Sequence, residues 1–203
     1  TAGVLKGGRK IWALAKTGQS MALKGNDVTN GYILLATACD GTLATTAQFT
    51  SIRVVCNNTL AVALANGNRG VVKVPHNTSF DAQAVKKQLG ISVSAWDEFM
   101  YGLKNLSERK VKPAEAQNYV WRVFNDGSNK SSTSSSNERA MAKVMALFEG
   151  GGQGADLSSA KGTAFGLLNS ITEFVDHERR ALNPDNRLDS AWFGQGAAIK
   201  QKA

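Results

Sequence analysis

Apolar and polar residues in the first fifty positions recur in the pattern typical of β-strands. The side chains around Trp12 alternate between the two faces of a strand. Trp12 lies on one face, and Ile11 lies on the opposite face together with the residues two and four positions after it. Asp40 and Gly41 form a dipeptide that favours a hairpin turn, and paired glycines precede the first strand. The pattern predicts three strands in an antiparallel meander, over residues 9–15, 32–38 and 42–49.

The next segment, residues 51–65, has apolar residues at helical intervals: Ile52, Val55, Cys56, Leu60, Ala63 and Leu64. Its β-branched residues favour a strand, but a hydroxyl residue at its start and Gly67 after its end are typical helix boundaries. We therefore predict a helix here, with Arg53, Asn57 and Asn58 on its polar side. A helix packed across one face of the sheet leaves the other face free for cationic and aromatic side chains.

Beyond a short strand at residues 71–74, the chain becomes helical in character. Predicted helices cover residues 80–89, 94–107, 113–124, 138–149 and 158–180. A serine-rich tract at residues 125–137 has no apolar residue and predicts a loop, and the tail after Pro184 is short and rich in glycine. The fold prediction is a single α+β domain over the whole chain: an antiparallel, basic β-β-β-α core over residues 1–75 and a mostly helical C-terminal part over 76–203.

Composition adds a charge argument. The 203 residues include 24 Lys and Arg and 16 Asp and Glu, which gives a net charge of +8. Residues 1–75 hold eight of the cations and only Asp27 and Asp40 as acids, and such a positive field attracts polyanions. Because the chain has no basic amphipathic helix, lipidation signal or long apolar run, the pattern favours nucleic acid over a membrane. Cys39 and Cys56 have neither disulfide nor zinc spacing, so we expect reduced thiols in a cytoplasmic protein.

Binding of a nucleic-acid strand needs cations for the phosphates and flat side chains for the bases, and the first third of the chain offers both. Trp12 lies between basic residues and Tyr32 comes from the neighbouring strand, although ordinary core packing is the alternative role for both rings. The predicted nucleic-acid-binding residues are Arg9, Lys10, Trp12, Lys16, Tyr32, Arg53, Asn57, Arg69 and Lys73.

Motifs for catalysis are weak. The glycine-rich stretch before residue 158 has the composition of a phosphate loop, but Lys161 is followed by Gly162 instead of Ser or Thr, so a helix–helix connection is favoured. Glu173 and His177 share a helix face at i, i+4, but the chain has one other histidine, and a charged helix end is the better interpretation. The sequence predicts no metal and no cofactor and favours a non-catalytic protein, while a metal- or phosphate-dependent enzyme stays open as an alternative.

Four segments of the chain together carry a family resemblance: GGRKIWALAKTG, GYILLATACDGTLATTAQFTSIRVVCNNTLAVAL, KVPHNTSFDA and TEFVDHERRALNPDNRLDSAWFGQGAAIKQKA. They resemble the phage/plasmid-like protein family, a domain-of-unknown-function family found in phages, plasmids and bacterial genomes. The resemblance covers nearly the whole chain apart from the serine-rich tract. It implies that this chain is the C-terminal part of a longer protein with a further N-terminal region.

The favoured function is binding of single-stranded DNA along a basic groove. A β-β-β-α unit with a basic sheet is similar to the core of single-strand annealing recombinases of phages, which implies a homo-oligomer that acts without nucleotide hydrolysis. The alternative is a non-catalytic assembly or interaction protein of a phage, whose protomer contacts come from the helical half. Its candidate contact residues are Trp121, Phe148, Phe165 and Trp192.

Overall fold

The computed structural model describes residues 1–62, 71–89, 93–125 and 135–203. The chain forms two compact units. The first contains Thr1–Ala22 and Val28–Gly102, and the second contains Leu23–Asp27 and Leu103–Ala203. The expectation of a single domain stays a prediction, and the units are described one at a time.

One antiparallel sheet dominates the first unit. Its described strands are β1 (Ala2–Leu5), β2 (Lys10–Ala22), β3 (Val28–Ala38), β4 (Thr45–Arg53), β5 (Thr59–Ala61) and β6 (Val71–Val74). The first four lie side by side in chain order, and β5 and β6 both pair with β4, β5 near its end and β6 near its start. A mostly helical half of the chain follows, which confirms the predicted α+β class with an antiparallel sheet.

Glycine and aspartate shape two hairpin turns. Between β1 and β2, Gly7 and Gly8 have φ angles of 65° and 88°, a left-handed conformation that glycine adopts at little cost. Between β3 and β4, the Asp40 carboxylate accepts hydrogen bonds from the backbone N–H and the hydroxyl of Thr42, and Gly41 has a φ of 76°. Both turns lie where the sequence predicts them.

Two helices of the first unit cover one face of the sheet: α1 (Ala82–Leu89) and the start of α2 (Val93–Glu108). The buried side of α1 packs with sheet residues in a cluster of Ala47, Val72, Val85 and Leu89, flanked by Ile33 and Val74. In α2, the ring centroid of Trp96 lies 6.0 Å from that of Phe49 on β4. These sheet residues occupy alternate strand positions on the same side. We call this side the helix-covered face.

The second unit is helical. Its described α-helices after α2 are α3 (Pro113–Phe124), α4 (Ser135–Ala146), α5 (Ala164–Glu173), α6 (Pro184–Phe193) and α7 (Gln195–Lys202). A π-helical turn continues α4 over Leu147–Gly151, and another continues α5 over Phe174–Glu178. The most buried core side chains include those of Val120, Val144, Ile171 and Val175. No helix in the described part of the chain is both long enough and apolar enough to span a membrane.

The predicted helix over residues 51–65 is wrong in its described part. Residues up to Arg53 complete β4, a turn follows, and β5 pairs back onto β4. Asn57 makes this turn possible, because its φ of 54° lies in the left-handed region that asparagine tolerates, and its N–H donates to the Arg53 carbonyl oxygen at 2.8 Å. Val55, which the predicted helix would have buried, is 43% exposed. The β-branched residues follow their strand preference, and residues 63–65 lie outside the described part.

The predicted helix over residues 158–180 begins later, at Ala164. Gly162 has a φ of 63°, which interrupts a helix, and the Thr163 side chain caps α5 by accepting a hydrogen bond from the Gly166 N–H. The start of this helix is therefore determined by its capping residue and not by the spacing of its apolar residues.

Short elements escape the sequence patterns. The pattern predicts neither β1 nor β5, which have only four and three residues. The predicted glycine-rich tail contains α6 and α7, and Asn183 caps α6 through its side-chain oxygen. Of the predicted serine-rich loop, residues 126–134 lie outside the described part and residues 135–137 begin α4.

Candidate nucleic-acid interface

Strand register places five of the predicted binding residues on one face of the sheet. In an antiparallel pair, directly opposed residues point to the same side, as do alternate residues along one strand. Lys16 pairs directly with Tyr32. Trp12 and Lys73 are the two ends of one row of directly paired residues that crosses β3 and β4. Lys10 occupies an alternate position on the same strand as Trp12. We call this surface the basic sheet face and define it by Lys10, Trp12, Lys16, Tyr32 and Lys73.

The register also sets the size of the basic sheet face. Trp12 and Lys73 are three strand spacings apart, which is about 14 Å. Lys16 lies further along β2, about 13 Å from Trp12 at the usual rise per residue of a strand. At the 3.4 Å rise of B-form DNA this distance covers about four nucleotides, and an extended single strand covers it with fewer. The surface therefore matches a short segment of a strand.

The two sides of the sheet differ in what covers them. Phe49, which contacts α2, pairs with Ile33, and this pair points away from the basic sheet face. Within the described part of the first unit, α1 and α2 both pack on the helix-covered face. On the basic sheet face, Lys16 and Lys73 are exposed, whereas Lys10, Trp12 and Tyr32 are half-buried.

The indole of Trp12 lies across the backbone of β1. Gly3 is directly opposite Trp12, and a Cβ atom added to Gly3 would lie 2.9 Å from each of three indole ring atoms. Only a residue without a side chain leaves room for the ring in this position. Gly3 is thus a functional candidate that sequence reasoning missed, because its signal depends on the pairing of β1 with β2. The glycine holds against the sheet an aromatic ring of the kind on which bases stack in proteins that bind single strands.

The strands contribute positive charge without negative charge. None of the described strands contains Asp or Glu, whereas they contain Lys10, Lys16, Arg53 and Lys73. Over the sequence of the first unit, nine Lys and Arg face four Asp and Glu. One of these acids, Asp81, is occupied at the start of α1, where its carboxylate accepts hydrogen bonds from the N–H groups of Gln83 and Ala84. The field at the sheet is therefore positive and suits a polyanion.

Arg9 lies at one end of the sheet, in the β1–β2 turn. It is exposed, its Nε donates to the Lys6 carbonyl oxygen at 3.0 Å, and it lies 4.0 Å from an Asp40 carboxylate oxygen. Hydrogen bonds from Thr42, assisted by the charge of Arg9, lower the pKa of Asp40 below its ordinary value. Asp40 is therefore ionised at neutral pH and partly offsets the charge of Arg9, so we leave Arg9 outside the basic sheet face.

The structure places the remaining predicted residues elsewhere. Arg53 is 4% exposed and lies on the helix-covered face, with its guanidinium 4.0 Å from the sulfur of Cys56. Its expected position on the polar side of a helix is wrong. Asn57 is exposed in the turn between β4 and β5. Arg69 lies outside the described residues.

The glycine-rich connection before α5 does not present free amides to a phosphate. Thr163 is fully buried, and its hydroxyl accepts a hydrogen bond from the Gly166 N–H. A Cβ atom on Gly166 would lie 2.0 Å from the Ala160 carbonyl oxygen, so this end of the helix is packed against its own connection. The geometry agrees with a helix–helix connection.

The acidic residues around His177 have structural partners. Both carboxylate oxygens of buried Glu173 accept from the Gln153 N–H, at 3.0 and 3.1 Å, and Glu178 pairs with Lys143 at 3.1 Å. The π-helical turn after Glu173 also breaks the i, i+4 alignment, and His177 is exposed. Among the residues that the structure describes, no group of three or more His, Cys, Asp or Glu is arranged to hold a metal ion.

Comparison with known proteins gives one match. The family model for a domain of unknown function, DUF932, matches residues 1–192. No curated protein and no solved structure matches the chain. Because the matched region includes every described strand of the sheet and all but the end of the helical half, the chain belongs to the DUF932 family.

Proposed function

We propose that this protein binds single-stranded DNA on the basic sheet face. The observation that carries the proposal is the strand register, which gathers three lysines and two aromatic rings on one side of the sheet. Lys10, Lys16 and Lys73 contact phosphates, and Trp12 and Tyr32 stack on bases. Such binding needs no sequence-specific contact, because every base has a flat face and every nucleotide a phosphate.

A single strand fits this surface better than a duplex. Stacking on Trp12 requires a base whose faces are free, and the bases of a duplex are already stacked on each other. A duplex reader also places a helix or a two-stranded ribbon in a groove, whereas the basic sheet face carries its cations and rings on one side of a sheet, with Trp12 and Lys73 about 14 Å apart.

The biological setting is part of the same proposal. The family resemblance to phage- and plasmid-encoded proteins supports a role in a mobile element, in the cytoplasm of a bacterial host. Strand annealing by a homo-oligomer, without nucleotide hydrolysis, is the wider role proposed for this surface, although the helix in the expected likeness to annealing recombinases is replaced by the β4–β5 pair. Neither role requires a metal or cofactor.

The test is a titration of a labelled single-stranded oligonucleotide, and of the same sequence as a duplex, at two salt concentrations. Each phosphate that a lysine neutralises contributes about −0.7 to the slope of log affinity against log salt, so the three lysines of this face contribute about −2 to the slope. The duplex is expected to bind more weakly. Absence of binding at low salt, or an affinity that does not change with salt, would contradict the proposal.

A second candidate function, assembly with other protomers or proteins, has an observation in its favour. On the helix-covered face near the β1 edge, Val4 is 59% exposed, its partner Ile11 is 47% exposed, and Leu35 is 39% exposed. Exposed apolar strips of this kind occur at protein interfaces. The aromatic residues expected to make such contacts are less available, since Phe165 is buried and Phe148 and Trp192 pack on the core of the second unit. Light scattering with and without oligonucleotide separates the two functions, because only DNA binding predicts a change that depends on the nucleic acid.

A further inference from the structure

We infer that the second unit carries its own phosphate-binding surface, formed by Lys110, Lys112 and Lys161, which contacts the backbone of a nucleic-acid strand. We call it the lysine patch. The inference rests on the proposed function for the identity of the polyanion, but it depends on different residues and different observations.

Backbone pairing joins the two segments that carry the three lysines. The segment around Lys110 runs antiparallel to the segment around Thr163, with hydrogen bonds from the Val111 N–H to the Gly162 oxygen at 3.0 Å and from the Ala164 N–H to the Arg109 oxygen at 2.9 Å. The Lys110 ammonium donates to the Lys161 carbonyl oxygen at 3.0 Å. The Lys110 ammonium is therefore held at the backbone of a second lysine, 51 positions away in sequence.

Within the described residues, the charge of the patch is not offset by ion pairs. Nearby, Arg109 is ion-paired with Glu115, and elsewhere in the unit Lys143 pairs with Glu178. In the part of the chain that the structure describes, no acid forms an ion pair with a lysine of the patch. All three lysines are exposed, so the patch presents concentrated positive charge to solvent.

The position of the patch is electrostatically unfavourable for folding alone. Lys112 is the residue before the first turn of α3, where no side chain caps the helix, and Lys161 precedes the start of α5 by three residues. Helix N-termini carry partial positive charge, so Lys112 at the uncapped start of α3 adds repulsion, which Glu115 in the first turn offsets in part. A bound polyanion removes this repulsion. Violations of local preference of this kind are expected at functional sites.

The chemistry of the patch fits a phosphate backbone better than a membrane. None of the exposed large apolar residues in the described chain lies among residues 104–115 or 158–164, so the patch lacks the apolar anchor that an interfacial membrane contact uses. The lysines offer point charges without an aromatic platform. They suit sequence-independent contacts to successive phosphates.

The test compares two charge-matched double variants in the full chain. Lys112→Ser with Lys161→Gln removes two charges from the patch but leaves Lys110, and Lys86→Gln with Lys87→Gln removes two exposed charges from α1. The patch variant is expected to lower the affinity for a single-stranded oligonucleotide and to reduce the magnitude of the salt slope by about 1.4. Its melting temperature stays unchanged or rises, because serine is a preferred helix cap.

Three results would overturn the inference: an unchanged salt slope in the patch variant, equal losses in both variants, or binding of the wild-type chain to anionic phospholipid vesicles but not to the oligonucleotide. The two proposals fail separately. If Lys16→Gln with Lys73→Gln leaves binding intact while the patch variant weakens it, the basic sheet face is refuted and the lysine patch stands. The reverse pattern refutes the patch and supports the sheet face.

Discussion

Gly3→Val is predicted to weaken DNA binding by moving the indole of Trp12. The added Cβ atom would lie 2.9 Å from three ring atoms, whereas carbon atoms in contact lie about 3.5–4.0 Å apart, so the ring must move by at least about 0.6 Å. Stacking of a base on an aromatic side chain contributes about 1–3 kcal/mol. Complete loss of this stacking would raise the dissociation constant about 5- to 150-fold. Because Gly3→Val displaces the indole without removing it, the dissociation constant is expected to rise by part of that factor.

The fold itself should tolerate this change. Valine favours strands and glycine weakens them by about 0.5–1 kcal/mol, so Gly3→Val is not expected to lower the free energy of unfolding much, apart from the displacement of the ring. The assay is oligonucleotide titration of Gly3→Val and of Trp12→Ala, which sets the upper limit of the loss. Gly102→Ala is the matched control, because a Cβ atom there would meet nothing within 4 Å. Wild-type affinity in Trp12→Ala, or in a folded Gly3→Val protein, would refute stacking on a positioned indole.

Other predictions concern the stability of the second unit. Asp176→Asn removes the negative charge of a carboxylate whose oxygen lies 2.8 Å from the buried Lys200 ammonium. The free energy of unfolding, measured with denaturant at neutral pH, should fall by about 3–5 kcal/mol. Burial lowers the pKa of Lys200 from 10.5, against the opposing effect of Asp176, so the folded chain binds this proton more weakly than the unfolded chain. The loss of unfolding free energy in Asp176→Asn should therefore become smaller as the pH rises toward 10.5. A loss that grows with pH would contradict the assignment of this effect to Lys200. Gly166→Ala should cost about 1–3 kcal/mol or more, because its Cβ atom would lie 2.0 Å from the Ala160 carbonyl oxygen, and an unchanged melting temperature would contradict the close approach. Asn183→Ala removes the cap of α6 and should cost about 1 kcal/mol in thermal unfolding, whereas no loss would show that the cap is dispensable.

The fold could be predicted in segments where one sequence pattern determines the structure and no other pattern competes with it. The strand at residues 71–74 and the helix at residues 113–124 have the predicted bounds, because a valine-rich run and a proline at a helix start leave little competition. Residues 51–65 show the opposite case. Their apolar spacing fits a helix, but the pairing of β5 with β4 and the left-handed turn at Asn57 outweigh it. Tertiary pairing of this kind has no signature in a local window.

The candidate site was predictable in part for the same reason. Alternation along one strand already places Lys10, Trp12 and Lys16 on the same side. Whether Tyr32 and Lys73 join that side depends on register, which hairpin length and the irregularity between Lys16 and Ser20 determine. Arg53 was selected because the predicted helix placed it on a polar face beside Asn57, whereas the strand that forms instead buries it.

The salt dependence of oligonucleotide binding tests most directly whether strand register has gathered a phosphate-binding surface on one face of the sheet. Lys16→Gln with Lys73→Gln removes two exposed charges from the basic sheet face, and Lys86→Gln with Lys87→Gln removes two from α1, which packs on the other side. We predict that the first variant reduces the magnitude of the slope of log affinity against log salt by about 1.4 and that the second leaves it unchanged. Equal slopes in the two variants would show that overall charge, and not this face, attracts the strand.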